Sequence, residues 1–486
     1  MSIPPSPAPL APPVRRRLVV ATVLLGTLSV SLNNTALNPA IPVFIEVFGI
    51  DAVAAGWVLT AFMISMGMTM PLTGYLGKRF GAKRVYLAGL ALFLGGSLAG
   101  ALAPSMAWVI AARCIQGVAG GLMIPLSLAL VFEVYPKEER GRVGGWWGMA
   151  VMLAPAAGPL VGGVLVELSS WHALFAFNIP LGLAGWAIGW RHLPAAPAAS
   201  AFLAPAFDWR GFALASLGVG MLLAALSRFK GAQALADPLN TGLLLGACAC
   251  LALFVRAELR HPAPLLNLRI FAEPAYSLSV AVVAVQSVGM FGVVVLLPLL
   301  MQDVQGHGAL ATGAALCLTA LCAGMVSPLG GRLLDRHGPR AVVAAGLLCS
   351  ALATMAFGLA GPEAPLWLIL ALMAARGIGI GLSYMPVSTA GLNAIPAPLV
   401  TEGAAMNNIL RRVAASLAVV AVSIYYELHR AGLMVQGLPP AAASGSALEH
   451  LFIAIGGLLL LAVPLALLFP KPGGAMPPAH AMTSPQ

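Results

Sequence analysis

Three asparagines stand within one apolar run, LSVSLNNTALNPAIP (28–42): Asn33, Asn34 and Asn38. An amide donates and accepts hydrogen bonds but cannot release a proton, so such residues hold a polar ligand or join neighbouring helices. Arg113, Arg376, Arg411 and Arg412 also fall inside long apolar runs. An arginine at the centre of a membrane helix costs roughly 2.5–3.5 kcal/mol on insertion scales, so it is expected to be paired or functional. The sixteen acids, in contrast, all read as loop or helix-end residues. This set suits a neutral-to-positive cavity that takes a neutral or anionic amphiphile. It does not suit catalysis: the eight histidines fall in loops, helix ends or the tail, and no Ser/His/Asp set or metal-ligand cluster emerges, so no enzyme, metal or cofactor is expected.

The elements that must position these residues follow from composition. The 486 residues are 60% hydrophobic and 9% charged, with a mean hydropathy of +0.93. Soluble domains carry roughly 25% charged residues, so this chain cannot cover a water-facing surface. Apolar stretches of about 18 or more residues recur from end to end, the mark of an all-α integral membrane protein. Fourteen helices are expected, beginning near Leu18, Val53, Arg84, Ala107, Arg142, Ala173, Gly211, Leu239, Tyr276, Ala309, Arg340, Leu366, Gly403 and Glu449. The Pro-rich start, ending in Arg15, Arg16 and Arg17, precedes a first span with a signal-anchor role. All six cysteines fall in apolar runs and read as small buried residues.

The net charge of +10 is topological. With both termini in the cytoplasm, 19 of the 26 Lys and Arg fall on inner segments and three (Arg228, Lys230, Arg430) on outer loops. That is the positive-inside distribution of a multi-pass protein of the cytoplasmic membrane, and it excludes nucleic acid as the partner. No soluble output domain of a receptor is present in the short, Pro/Ala-rich inner segments.

Two stretches match without a gap, PLTGYLGKRFG (71–81) and PLGGRLLDRHG (328–338), and AARCIQGVAGGLMIPLS (111–127) is echoed by AARGIGIGLSYMPVS (374–388). Two echoes in the same order imply two six-helix halves in parallel orientation, enclosing a cavity that rocking exposes to each side in turn. The expected divisions are a tail at 1–17, a bundle at 18–193, a linker with two extra helices at 194–275, a bundle at 276–470 and a tail at 471–486. Gly74, Gly81, Gly331 and Gly338 are expected at sharp turns. Lys78, Arg79, Asp335 and Arg336 are placed to bond helix ends across the inner seam, or to act only in setting topology.

These motifs resemble the major facilitator superfamily, and in particular its fourteen-helix drug:proton antiporters of the EmrB/QacA type. GYLGKRFGAKR resembles the superfamily's inner-loop signature, with Lys78 where an Asp is usual; the second copy keeps Asp335. RCIQG, with Arg113, Gln116 and Gly117, resembles the fourth-helix motif linked to proton transfer. APAAGPLVGG (154–163) resembles the antiporter signature of the fifth helix. Its Gly158, Gly162 and Gly163 offer a smooth surface, while Pro155 and Pro159 remove backbone donors, which suits either a flexing helix or plain tight packing. WHALFAFNIPLG, FDWRG and PLLNLRIF resemble segments of the fourteen-helix branch.

The resemblance implies a major facilitator fold with two inserted central helices and proton-driven export of amphiphilic drugs or toxic metabolites. It leaves a periplasmic adaptor and an outer-membrane channel open as partners. Asn33 occupies the place of the family's first-helix Asp, so a coupled proton must be carried elsewhere, with Glu133 and Asp303 as candidates. The alternative is a proton-independent facilitator or exchanger of a neutral or anionic metabolite. Thr27, Ser31, Asn34 and Asn38 follow one helical face, with Ser29 and Asn33 on an adjacent stripe. This sector is expected to face the cavity or the fourth helix, with Arg113 donating to Asn33 or Asn34. Arg376 and Arg412 complete the expected cavity.

Overall fold

The computed structural model describes residues 12–194, 207–229, 237–261, 264–361 and 363–470. Residues 1–11 of the expected tail at 1–17, the expected tail at 471–486 and most of the 194–209 linker lie outside the described residues; the rest of the first tail departs from expectation, since Pro13–Arg17 open the first helix. The described residues form helices without a strand.

In chain order these are α1 (Pro13–Ala36), α2 (Ile41–Phe48), α3 (Ala52–Thr69), α4 (Leu72–Phe80), α5 (Ala82–Ala101) and α6 (Met106–Val134). Next come α7 (Arg140–Leu168), α8 (Ala173–Ala176), α9 (Asn178–His192), α10 (Trp209–Ser227) and α11 (Pro238–Arg260). The second half holds α12 (Pro274–Pro298), α13 (Ala309–His337), α14 (Pro339–Ala360), α15 (Leu366–Ala394), α16 (Val400–Val435) and α17 (Pro440–Leu467). Among the described residues, thirteen helical segments are long and apolar enough to cross a bilayer, and α3 with α4, bent by 56° where they meet, makes a fourteenth if the pair is one span. Fourteen crossings return the chain to the face from which it starts, called here the chain-end face.

Sequence chemistry sets the helix ends. Asp51, Ser105, Asp208 and Asp237 each accept a backbone N–H of the first turn, which is why these three acids and one serine sit at boundaries. Asp237 also accepts from Arg228 Nη2 at 3.0 Å, and this hydrogen bond holds its carboxyl below the usual range. Two expectations fail at the far face. α16 is 36 residues long, about 54 Å at 1.5 Å per residue, and so outruns a hydrocarbon core of about 30 Å. Glu427 and Arg430, expected in a loop, are therefore helical; Glu449 likewise lies inside α17, which starts at Pro440.

The helices α1, α3, α5, α6, α7 and α9 pack as one bundle and α12 to α17 as another. The bundles meet where α7 lies along α13 and where α16 reaches α4 and α6. The inserted pair α10–α11 packs on α3, with Ser216 Oγ donating to the Met68 carbonyl at 2.7 Å. Enclosure differs sharply between spans: 83% of the most apolar stretch of α6 is buried against 17% for α11, so α6 is central and α11 faces lipid. The cysteines follow this rule rather than the expectation of burial: none is fully enclosed, and Cys248 on α11 is exposed.

Candidate functional site

The fourth span, α6, presents Arg113 with no exposed surface at all. Its Nε donates to the Val58 carbonyl at 2.9 Å, its Nη1 to Gln116 Oε1 at 3.0 Å, and its guanidinium lies 4.2 Å from the Phe62 ring centroid. Gln116 Nε2 in turn donates to Ser97 Oγ at 3.0 Å, tying α3, α5 and α6 together. The expected bond from Arg113 to Asn33 or Asn34 is not formed. The Val58 carbonyl and the Phe62 face of α3, with the Gln116 amide oxygen one turn on along α6, hold the cation instead, while its Nη2 is buried without a partner.

On the first span, Asn33 is 1% exposed and neither its amide nitrogen nor its oxygen has a partner. Asn34 is half-buried. The expected continuous face breaks before Asn38, because α1 ends at Ala36 and Asn38 opens a short 3-10 turn ahead of Pro39, where it is exposed. Proline has no amide hydrogen to continue the helix.

In the second half, Arg376 on α15 is 2% exposed and donates through Nη2 to the carbonyls of Gly289 (2.7 Å) and Met290 (3.3 Å) of α12. The repeat thus places both arginines in their bundles but aims them at different helices. Arg412 on α16 crosses the seam, its Nη2 reaching Met66 Sδ at 2.9 Å, with Nε buried and unpartnered. A thioether is a weak acceptor, so this guanidinium has unspent hydrogen-bonding capacity between the bundles. Arg411 turns instead to Asn408 Oδ1 at 3.1 Å.

The chain-end side of the seam is closed by the repeated motif. Asp335 accepts from the backbone N–H groups of Gly141 (2.8 Å) and Arg142 (2.7 Å), capping α7 from the opposite bundle. At the matching position Lys78 bridges to Glu402, in the first turn of α16 and 2% exposed at its side chain. Glu402 also accepts from the Asn267 N–H at 3.0 Å. The missing Asp of the first copy is thus replaced by a pair of opposite polarity. Lys137 and Arg140 add bonds to the Asn393 carbonyl and Oδ1, both at 3.1 Å.

Only Gly81 (φ 86°) and Gly338 (φ 74°) make the expected turns. Gly74 and Gly331 are helical, and their missing side chains serve close approach: a methyl at Gly331 would overlap the Gly141 carbonyl, and one at Gly74 would overlap Glu402. Arg79 does not cross the seam but donates to Tyr75 on its own helix at 3.2 Å. Arg336 lines a shallow cleft with Glu138, Glu139, Arg142, Arg332 and Asp335.

Along α7, Gly145 and Gly148 meet Ser327 of α13, and further on Gly158 and Gly162 meet Thr35 and Ala36 of α1. Pro155 and Pro159 lie inside a helix that runs unbroken, and Gly163 faces open space instead of a neighbour. Of the two candidate proton carriers, Glu133 is exposed near the end of α6. Asp303 is exposed on a π-helical turn, Leu299–Val304, lining a cleft of about 580 Å³ with Tyr426, Glu427 and Arg430.

The sequence profile described as Major Facilitator Superfamily matches residues 23–419. The chain belongs to this superfamily. Among its relatives in the superfamily, the Uncharacterized MFS-type transporter YhcA of Bacillus subtilis is 31% identical over 409 residues, 84% of this chain and 76% of the relative. The lincomycin resistance protein LmrB of Listeria monocytogenes is 27% identical over 92% of this chain and 95% of its own length. A multidrug resistance protein B homolog of Mycobacterium tuberculosis is 28% identical over 87% and 79%. Among solved structures, the human organic anion transporter MFSD10 superposes with a TM-score of 0.66 at 18% identity, over 94% of this chain and 100% of that one. The proton:xylose symporter XylE gives 0.62 at 15%, over 94% and 96%. These likenesses establish the facilitator fold.

Against that fold, sequence reasoning missed Glu402, Asn393 and Met66 as cross-seam partners in this facilitator. Only Lys78 carried a signal: a cation in the place of an Asp asks for an anion opposite.

Proposed function

We propose that this facilitator is a fourteen-helix transporter of the EmrB/QacA type. It exports neutral or anionic amphiphilic organic compounds across the cytoplasmic membrane by alternating access, with both termini in the cytoplasm. The inserted pair α10–α11, relatives named for lincomycin and multidrug resistance, and the inward bias of Lys and Arg support this reading. The observation that carries the substrate class is the seam around Arg412, where an incompletely bonded guanidinium meets a thioether and none of the four ion pairs among the described residues contributes a carboxylate. The closed chain-end contacts support reading this arrangement as outward-facing, with Asn33, Asn34, Arg113, Gln116, Arg376 and Arg412 lining or supporting the pathway.

A proton gradient drives the export in this reading. A proton-independent exchange of an anionic metabolite is the second reading, favoured by Asn33 in place of a titrating acid. Reconstituted vesicles with and without a pH gradient, tested on matched anionic, neutral and quaternary-ammonium amphiphiles, separate these. The expected result is gradient-dependent transport of the anionic and neutral members. Strong transport of the quaternary ammonium compound alone would overturn the substrate class.

A further inference from the structure

The inserted helices carry two buried acids that the pathway above does not use. Asp208 caps α10 through Oδ1, which accepts from the Gly211 N–H at 2.8 Å, while its Oδ2 is buried without a partner. Glu258 lies at the chain-end side of α11 and is 3% exposed. Neither of its oxygens has a side-chain partner, and the backbone N–H groups of Leu265 and Leu266 face it. The two side chains converge on one point. A side-chain carbon at Gly211 would lie 2.6 Å from Glu258 Oε1 and closer still to Asp208 Oδ2. Glycine at this position is what leaves the two unpartnered oxygens room to face each other.

We infer that Asp208 and Glu258 form a proton-binding site, holding one proton between two carboxyl groups where the inserted pair meets the seam. Two carboxylates this close, withdrawn from water, cannot both ionise unless a cation joins them. None of the four ion pairs among the described residues includes either acid. Arg210 and, on α11, Arg256 and Arg260 are exposed, as is Arg269 beyond it, while His261 follows directly at the end of α11. The charge facing the pair from α16 is Glu402, itself bound to Lys78 of α4.

The site therefore sits beside the bridge that closes the chain-end face. Phe207, next to Asp208, packs on Tyr75 of α4 with ring centroids 4.7 Å apart, and Asn267, soon after α11, bonds Glu402. Loss of the shared proton adds a negative charge next to Glu402 and changes the competition for Lys78. Proton exchange is thereby linked to opening of the seam without an acid on the first span. Only this linkage rests on the transport reading; the proton site does not.

The test uses the purified full chain in detergent and infrared difference spectroscopy across pH. The parent is expected to keep a protonated-carboxyl band at neutral pH that disappears in Glu258→Gln. In Asp208→Asn, which keeps a capping side chain, the band should titrate away about one pH unit or more lower, since the opposing carboxylate is gone. A parent without the band, or an Asp208→Asn variant with an unchanged titration, overturns the pair. Displacement of the band by sodium at constant pH would reassign the site to an alkali cation and also overturn it. In vesicles, Glu258→Gln should retain downhill transport but lose its stimulation by a pH gradient. Proton-driven transport equal to that of the parent would overturn the linkage. If the parent moves none of the amphiphiles, the transport reading fails while the infrared result still decides the site.

Discussion

At the residue scale, the protein handles charge in lipid by surrounding it with dipoles. Arg113 has a carbonyl, an amide and a ring around it, and Arg376 has two carbonyls. Hydrogen bonds made by charged groups contribute about 1.5–3 kcal/mol each, and removal of the cation orphans the Gln116 amide oxygen as well. Arg113→Ala is therefore expected to lower the thermal unfolding midpoint in detergent clearly, and Arg113→Lys to lower it less, because lysine lacks the fork that reaches Val58 and Gln116 together. Equal midpoints for the two variants would show that the fork geometry does not matter. The burial of Arg113 was legible in the sequence, since an arginine amid apolar residues has few other places to go. Its partners were not, because the Val58 acceptor is a backbone atom whose position depends on how α3 packs, and backbone carbonyls leave no trace in residue type.

At the element scale, α7 is the part shared between bundles: Asp335 of α13 caps its start, and Gly158 and Gly162 later meet α1. The sequence showed the smooth glycine face and offered Asp335 as a bond to a helix end across the seam, but it did not single out the N–H groups of Gly141 and Arg142, because a cap from another helix has no local spacing to betray its donors. Removal of an N-cap acceptor costs about 0.5–2 kcal/mol, and the favourable placement of a negative charge at a helix start is lost as well. Asp335→Ala should therefore shift the population toward opening at the chain-end face by roughly tenfold, the equivalent of ~1.4 kcal/mol. Spin labels on exposed Glu138 and Ala397, which flank the seam, would report this as a longer-distance component in the variant. An unchanged distance distribution would mean that the cap is not a determinant of closure.

At the scale of the whole molecule, the repeated segments give two locks of unlike chemistry across the seam. The second copy uses a carboxylate on backbone amides; the first uses Lys78 on Glu402. Both locks span the seam, so each is expected to contribute to closure of the chain-end face. The architecture was readable from the matched segments 71–81 and 328–338, but the polarity reversal at one lock emerges only when α4 and α16 are brought together. Lys78→Glu places two carboxylates in contact and should open the seam, with transport falling by about tenfold if the outward-facing state is depleted by ~1.4 kcal/mol. Glu402→Lys alone should do the same through paired ammonium groups and the loss of the Asn267 contact. The double exchange restores opposite charges across the same gap. Transport in the double variant should return to within about threefold of the parent, the shortfall reflecting the Asn267 N–H, which a lysine cannot accept. Non-recovery, with the folded yield of all three variants equal to that of the parent, would show that Glu402 serves the seam through Asn267 and not through Lys78.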